Sequence, residues 1–334
     1  MYLLARFCFI AVLVLSICSS KAQSLEESLI NHDSIKKIVY TLSADSFNGR
    51  FTGTFENAKA AAFIAEEFKK SGLKKVSFLV DYYDEVDTKG NNVVGILKGK
   101  SKPNEFVIFS CHYDHIGTLR SNPYPFLDKS SIEEKATDSI FNGANDNASG
   151  VSAVISLAKY YASINDNQRS ILFIAFTGEE LGLLGSKHFA KILNPDSVIA
   201  VINFDMIGRS YNNRKRPFIT GSIYSNLRQI INKSLSDYDN TKYGKNYFRG
   251  DQSVREALFY RLDNFWFAIN GIPAHTVMCT LPDDKFYHQL KDEASTLDYT
   301  LIYETVKAVA IGCNGIVENT ITPYRLNKKD LRKF

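Results

Sequence analysis

The sequence predicts an α/β fold, a three-layer α/β/α sandwich with a mostly parallel, mixed sheet. Short apolar runs alternate with segments of helical periodicity over most of the chain. Several of these runs are apolar on both faces, which is typical of parallel strands buried between helices. Histidine and carboxylate residues directly follow most of the runs. In open α/β folds, ligands bind at this carboxyl edge of the sheet.

The amino terminus, residues 1–22, has the parts of a secretory signal peptide. Arg6 provides the positive charge, Phe7 to Ile17 form an apolar centre of 11 residues, and Ser20 to Ala22 form a small-x-small cleavage site. The apolar centre is too short for a transmembrane helix. We therefore expect cleavage and export, to the periplasm or as a secreted protein. The alternatives are a retained membrane anchor and a lipoprotein attached through Cys18.

The remaining residues, 23–334, are enough for one large domain, and no linker, repeat or change of composition divides them. Removal of Arg6 and Lys21 with the signal lowers the formal net charge from +4 to +2. A near-neutral chain gives no reason to expect a nucleic-acid partner. Neither a disulfide scaffold nor a thiolate metal site is expected, since the mature chain has three cysteines and no Cys-x-x-Cys pair: Cys111, Cys279 and Cys313.

The predicted elements follow in a regular order. Two helices come first, at Ser24 to Ala44 and Glu56 to Lys70. Strands are predicted at Asn91 to Leu97, Glu105 to Ser110, Ser170 to Phe176, Val198 to Phe204 and Ile272 to Cys279. Further helices are predicted at Gly150 to Ala162, Leu181 to Leu193 and Thr296 to Val317, the last interrupted near Gly312. The longest irregular segment is Thr118 to Phe141, and a loop of that length is usually functional.

Two adjacent carboxylates, Glu179 and Glu180, lie on the predicted turn between a buried strand and a helix. Two like charges repel each other, and each loses hydration on burial. A metal ion bound by one carboxylate, with the other working as a base, would relieve both problems. An isolated Glu-Glu pair is more often an exposed acidic turn, so the rest of the chain decides the interpretation.

A histidine motif follows the second predicted strand. His112 ends this strand, and residues two apart in an extended chain point to the same side. Asp114 is therefore predicted to accept the other ring N–H of His112, which would fix its tautomer and raise its basicity as a metal ligand. For the adjacent His115, packing or substrate contact is favoured over metal ligation.

Three further ligand-type residues have comparable positions. Asp146 lies in the turn cluster that opens the helix from Gly150, Asp205 ends the fourth strand, and His288 follows the fifth. Asp292, four residues after His288, is a possible orienting partner for that histidine. Asp146 alone would be read as part of a helix start, but the set of residues points to metal binding.

The ligands are too many for one catalytic zinc, which needs an open position. Two zinc ions sharing Asp146 as a bridge would use them all. One ion would bind His112 and Asp205, and the other would bind Glu180 and His288. Glu179, without a metal, would then be the general base and later the proton donor. Paired ions about 3.5–4 Å apart can activate one bridging water and polarise a carbonyl oxygen.

These motifs resemble one family, the co-catalytic zinc aminopeptidases of metallopeptidase family 28. The similar segments are Asn48 to Gly53, His112 to Asp114, Asp146 to Gly150, Gly178 to Ser186, Asn203 to Gly208 and Gly271 to Ala274. The resemblance extends from about Asp45 to the carboxyl terminus. It implies a phosphorylase/hydrolase-like fold, two zinc ions per chain, the five ligands above and Glu179 as the base. It also implies a peptide substrate with a free amino terminus.

Some positions depart from the family pattern. Asn145 stands where many relatives have a second aspartate, and the usual His-Thr-Pro-Asp-like run reads His288-Gln-Leu-Lys-Asp292. The segment from Arg261 to Trp266 replaces a Ser-Asp-His or Ser-Asp-Asn run. Tyr260 or Tyr287 could donate a hydrogen bond to the tetrahedral oxyanion, and each is equally compatible with an ordinary core tyrosine.

Two other functions fit parts of the pattern. Glutaminyl cyclase-like enzymes share a Cys-His-Tyr-Asp run, here Cys111 to Asp114, and a Gly-Glu-Glu run, and they use one zinc. The segments Leu181 to Ser186 and Asn147 to Gly150 favour the peptidase. A non-catalytic binding protein of this fold would be expected to lose ligands or the base, whereas all six residues are present here.

Overall fold

The computed structural model describes residues 29–120, 138–210, 216–251 and 257–331. The predicted signal peptide at residues 1–22, with Cys18, lies outside the described residues. So does most of the predicted irregular segment from Thr118 to Phe141. The predictions on these segments stay predictions.

The described chain contains an eight-stranded sheet and seven α-helices. The strands are β1 (Tyr83–Glu85), β2 (Asn91–Leu97), β3 (Lys102–His112), β4 (Arg169–Phe176), β5 (Val198–Phe204), β6 (Phe218–Ile219), β7 (Arg249–Gly250) and β8 (Ala274–Met278). The helices are α1 (His32–Leu42), α2 (Phe55–Lys70), α3 (Gly150–Ile164), α4 (Leu184–Ile192), α5 (Leu227–Tyr243), α6 (Phe265–Ala268) and α7 (Tyr299–Val317).

The centre of the sheet is parallel and its flanks are partly antiparallel. The strand order is β1-β2-β4-β3-β5-β8-β6-β7. The four central strands β4, β3, β5 and β8 run parallel, while β2 is antiparallel to β4 and β6 is antiparallel to β8. The predicted mixed, mostly parallel α/β sandwich is confirmed.

Alternation along the central strands divides the core into two layers. In β4, Ile171, Phe173 and Ala175 pack on the side of α1, α2, α3, α5 and α7. The intervening Leu172, Ile174 and Phe176 pack on the other side, with α4 and α6. Successive side chains of a strand point to opposite faces, so an apolar residue at every position buries both faces of the strand.

Three predicted helices differ from the structure. The helix expected at Ser24 to Ala44 has a start at His32 within the described residues, because Asn31 has an extended backbone and caps the helix by accepting the N–H of Ser34. The helix expected from Leu181 begins at Leu184, because Gly182 and Leu183 have positive φ angles of 101° and 62° and form a turn. The helix at Tyr299–Val317 is continuous, so the interruption expected near Gly312 is wrong. A Cβ atom on Gly312 would lie 2.6 Å from the Cγ2 of Ile231 in α5, so this glycine permits close packing of the two helices.

Helix α7 is also the one helix of the described residues that is long and apolar enough to span a membrane. However, 72% of its most apolar window is buried within the protein. It packs against α5, α1 and α3 in the larger core layer. Its apolar composition is therefore explained by its position in the core.

Candidate metal centre

The register of the parallel strands brings the predicted site residues to one edge of the sheet. His112 pairs with Phe176 at the end of β4, so it lies beside the turn that carries Glu179 and Glu180. Ser110 pairs with Asn203, and Asp205 two residues on therefore lies beside His112. The turn before α3 contributes Asp146 to the same edge. All five predicted ligands and Glu179 meet there.

The carboxylate of Asp146 lies between two sets of donor atoms. Its Oδ1 is 3.3 Å from Nε2 of His112, which is itself 3.6 Å from Oδ1 of Asp205. Its Oδ2 is 3.3 Å from Nε2 of His288, which is itself 3.2 Å from Oε2 of Glu180. The two groups correspond to the two ligand sets expected from the sequence, with Asp146 shared between them.

These separations fit zinc. Two ligand atoms about 2.1 Å from a tetrahedral zinc ion lie roughly 3.4 Å apart. Most of the nitrogen–oxygen separations around Asp146 are of this size and are longer than good hydrogen bonds. Nε2 of His288 and Oδ1 of Asp205 are buried and make no hydrogen bond. Imidazole nitrogen and carboxylate oxygen are donors that zinc accepts, so the residues fit this metal.

The charges of the protein side chains alone are unbalanced at this site. Burial raises the pKa of Glu179 well above its ordinary value, and the charge of Glu180 adds to this rise. Burial would lower the pKa of His112, but nearby carboxylates, Glu179 first, raise it well above its ordinary value. Burial would likewise raise the pKa of Asp146, but the neighbouring imidazoles of His112 and His288 hold it well below the usual range. A bound cation would supply the missing positive charge.

His115 is closer to the centre than expected for mere packing. Its Nδ1 lies 3.0 Å from Oε1 of Glu180 and 3.8 Å from Oδ2 of Asp146. The first distance is a hydrogen bond, and it leaves Oε2 of Glu180 facing His288. His115 also belongs, with Asp146, Glu180 and His288, to a group whose donor atoms lie within 4.8 Å of one another. The contact to Glu180 is compatible with an orienting role, and the preference for support over metal ligation stays a prediction.

Asp114 supports a different group from the one expected. The Nδ1 atom of His112 is 3.2 Å from the main-chain carbonyl of Asp114 and 3.8 Å from its carboxylate. The chain leaves the strand after His112, so the alternation of an extended strand no longer applies. The carboxylate accepts the main-chain N–H groups of Glu179 and Glu180, at 3.1 and 3.3 Å, and the hydroxyl of Thr52. Asp114 thus fixes the turn that carries the predicted base.

Asp292 also has another partner than the one expected. It does not orient His288; its carboxylate accepts the main-chain N–H groups of Asn145 and Asp146, at 3.0 and 3.1 Å. It also forms an ion pair with Arg209 at 2.9 Å. Asp292 therefore holds the turn that presents the shared carboxylate.

Asn145, where many relatives have an aspartate, connects this turn to its neighbours. Its amide oxygen accepts the N–H of Gly208 at 2.6 Å, and its amide nitrogen donates to the hydroxyl of Thr280 at 3.2 Å. A carboxylate could not donate the second bond. Asparagine is therefore well suited to this position.

Arg50 is the main residue whose position sequence reasoning did not anticipate. Its buried guanidinium donates to four main-chain carbonyls, those of Leu42, Tyr113, Asn142 and Gly143. Burial lowers its pKa to about 10, so it stays charged at neutral pH. It joins the end of β3 to the turn before Asp146. The Gly-Arg pair in the sequence was the available signal.

A cavity of about 440 Å³ opens beside the metal centre. One wall is apolar and includes Met206, Leu258, Leu262 and Met278, which pack together. Tyr287 lines the cavity and stacks on His288 with ring centroids 3.9 Å apart. The other tyrosine considered as an oxyanion donor, Tyr260, makes a 2.7 Å hydrogen bond to the hydroxyl of Tyr224 and is not among the lining residues.

The fold and the donor set define a class of proteins, α/β proteins with a histidine and carboxylate metal centre at the carboxyl ends of parallel strands. The model of Peptidase family M28 matches residues 92–311, about two thirds of the sequence. The chain belongs to this family, which confirms the resemblance. It is thereby placed in a family of zinc peptidases.

Two curated relatives illustrate the similarity. A probable zinc metalloprotease of Phaeosphaeria nodorum is 28% identical over 186 residues, which cover 51% of this chain and 36% of the relative. The aminopeptidase YwaD of Bacillus subtilis is 33% identical over 132 residues, which cover 38% of this chain and 24% of the relative. In both cases the match spans less than half of the relative.

Solved structures share the fold. An aminopeptidase from Aneurinibacillus sp. strain AM-1 superposes with a TM-score of 0.64 at 15% identity, covering 92% of this chain and 97% of that one. A glutaminyl cyclase from Bacteroides thetaiotaomicron has a TM-score of 0.63 at 19% identity, covering 87% and 98%. At such identities the similarity concerns the fold alone.

Proposed function

We propose that this chain is an exported zinc-dependent aminopeptidase that removes amino-terminal residues from peptides. The main support for this proposal is the position of Asp146. Its two carboxylate oxygens face two separate sets of donor atoms, and each set contains one histidine. Two zinc ions sharing this carboxylate would use all five predicted ligands. Membership of the peptidase family supports a peptide as the substrate.

The predicted base is in a suitable place for this reaction. Glu179 belongs to the group with His112 and Asp205 whose donor atoms lie within 4.8 Å of one another. When bound, zinc supplies a Lewis acid that polarises the scissile carbonyl and acidifies water. Glu179 takes the proton from the attacking water and returns it to the leaving amine. Burial raises the pKa of Glu179 well above its ordinary value in the metal-free chain, and bound cations would oppose this rise.

The amino-terminal preference follows from the rest of the pocket. The free α-amine would be held by the second metal position or by the neighbouring carboxylates of Glu180 and Asp146. An acetylated nitrogen has neither a basic lone pair for a metal ion nor a positive charge for the carboxylates, so it can make neither interaction. Export is proposed from the signal-like residues 1–22 alone.

The test uses leucine p-nitroanilide, its N-acetyl derivative and a chelator. We expect hydrolysis of the free substrate, loss of activity with chelator, recovery with zinc, and no hydrolysis of the acetylated compound. Glu179→Gln should retain zinc and lose roughly 10²- to 10⁴-fold in kcat. The matched control is Glu66→Gln, an exposed helix residue whose change should leave activity intact. Equal cleavage of the acetylated substrate would disprove the exopeptidase assignment.

The cyclase alternative makes a different prediction for the same protein. A single-zinc cyclase would release ammonia from peptides with amino-terminal glutamine and would leave leucine p-nitroanilide intact. Two complete donor sets around Asp146 favour the peptidase. Ammonia release together with one zinc ion per chain would reverse this preference.

A further inference from the structure

The cavity beside the metal centre has a positively charged residue on its wall, Arg261. The main-chain N–H of Arg261 is fixed by a 2.9 Å hydrogen bond to the carbonyl of Leu258, at the end of a short 3₁₀ turn. The residue is solvent-exposed, and within the described part of the chain its guanidinium forms no ion pair. Arg261 lines the same cavity as Tyr287 and the predicted ligands Asp146, Glu180, Asp205 and His288.

The positive charge of Arg261 would have no counter-charge in the cavity once two metal ions were bound by the carboxylates. The four lining carboxylates, Asp146, Glu179, Glu180 and Asp205, have the formal charge that would balance two divalent cations. The rest of the wall is largely apolar and offers no counter-charge. With the metal ions bound, an anionic group of the substrate would therefore be the partner of Arg261. A guanidinium offers a planar fork of N–H donors that matches a carboxylate.

We propose that Arg261 binds a carboxylate of the substrate, the free carboxyl terminus of a short peptide, and so makes this enzyme prefer dipeptides over longer chains. This inference rests on the proposed aminopeptidase function. A cavity of about 440 Å³ lies toward the lower end of the usual size range of ligand sites, which suits a short peptide. The carboxyl terminus of a dipeptide is then close to the wall that holds Arg261, whereas in a longer peptide an amide occupies that place.

The effect should be moderate because Arg261 is exposed. Ion pairs at exposed positions are weakened by solvent and salt, although a bidentate contact is stronger. We expect the carboxylate to improve kcat/KM by roughly threefold to tenfold at low ionic strength, mainly through KM, and the improvement to shrink with added salt.

The experiment compares Leu-Gly with Leu-Gly amide, using the zinc-loaded enzyme and its variants. The wild type should favour Leu-Gly, and Arg261→Gln should reduce the ratio of the two kcat/KM values toward one. Arg261→Lys should restore part of the preference, because the charge is kept and the fork is lost. Arg216→Gln is the control, since Arg216 is exposed, outside the cavity and loses the same charge.

A second arm distinguishes the source of the carboxylate. Glutamyl and leucyl p-nitroanilides carry no terminal carboxylate, so Arg261→Gln should not change the ratio between them. A change confined to the glutamyl compound would assign Arg261 to an acidic side chain and overturn the terminal assignment. Cleavage of both dipeptide forms at a ratio that Arg261→Gln leaves unchanged would overturn this inference alone. Cleavage of no substrate would overturn the proposed function with it.

Discussion

Replacing Arg50 by Met tests how the fold supports the metal centre. The side chain is 1% exposed and satisfies four main-chain carbonyl oxygens. Methionine fills much of the same space but donates no hydrogen bond. The carbonyl oxygen of Gly143 also accepts the N–H of Ala148 at 3.2 Å, so among the described residues three oxygens lose their only donor. At about 1 kcal/mol for each of these oxygens, the lower end of the usual range, we expect a loss of about 3 kcal/mol in the free energy of unfolding.

The assay is urea denaturation in excess chelator, so that lost zinc binding does not contribute. A matched control is Arg216→Met, because Arg216 is exposed and lies two residues before β6. The free energy of unfolding of this variant should stay within about 0.5 kcal/mol of the wild-type value. Arg50→Lys keeps the charge and should lose less than Arg50→Met. A loss below about 1 kcal/mol for Arg50→Met would refute the reasoning, since the freed oxygens would then have to be satisfied in another way.

Three further outcomes are expected. Asp292→Asn should weaken zinc binding by about 10- to 100-fold in a chelator competition, with Asp237→Asn on the surface as the neutral control; equal affinities would contradict the role of Asp292 in holding the Asp146 turn. Gly312→Ala should destabilise the protein by about 1 kcal/mol or more in urea, because its Cβ meets Ile231, and Ile231→Ala should reduce that loss; a gain in stability would show that the helices can move apart. Burial lowers the pKa of His275 to about 4, below its ordinary value of 6.5. The unfolded chain therefore binds an extra proton between pH 6.5 and pH 4, and the free energy of unfolding falls as the pH drops through this range. His275→Asn should remove about 3 kcal/mol of this fall, and parallel curves of unfolding free energy against pH for the two proteins would contradict the prediction.

The sequence was sufficient for the centre of the fold because the central strands are apolar on both faces. That pattern cannot arise from an exposed strand, and β3, β4, β5 and β8 were all predicted within a few residues. The short strands β1, β6 and β7 were not predicted, since two or three residues carry no periodicity. The helix α5 was also missed; its mean hydropathy is low and only one face is buried.

The sequence predicted which residues form the site, but it did not predict the hydrogen-bond partners of all of them. The ligand-type residues follow parallel strands, and parallel strands end at one edge. The partners of Asp114 and Asp292 depend on how loops return to that edge, which strand alternation does not describe. Arg50 acts through main-chain carbonyls, and these have no signature in the sequence.

The most direct measurement is X-ray diffraction from crystals of the zinc-loaded protein at energies above and below the zinc absorption edge. We expect two anomalous peaks per chain, about 3.5–4 Å apart, one on each side of the Asp146 carboxylate. One peak would belong beside His112 and Asp205, and the other beside Glu180 and His288. A single fully occupied peak, or peaks remote from Asp146, would contradict a two-zinc centre that shares the Asp146 carboxylate.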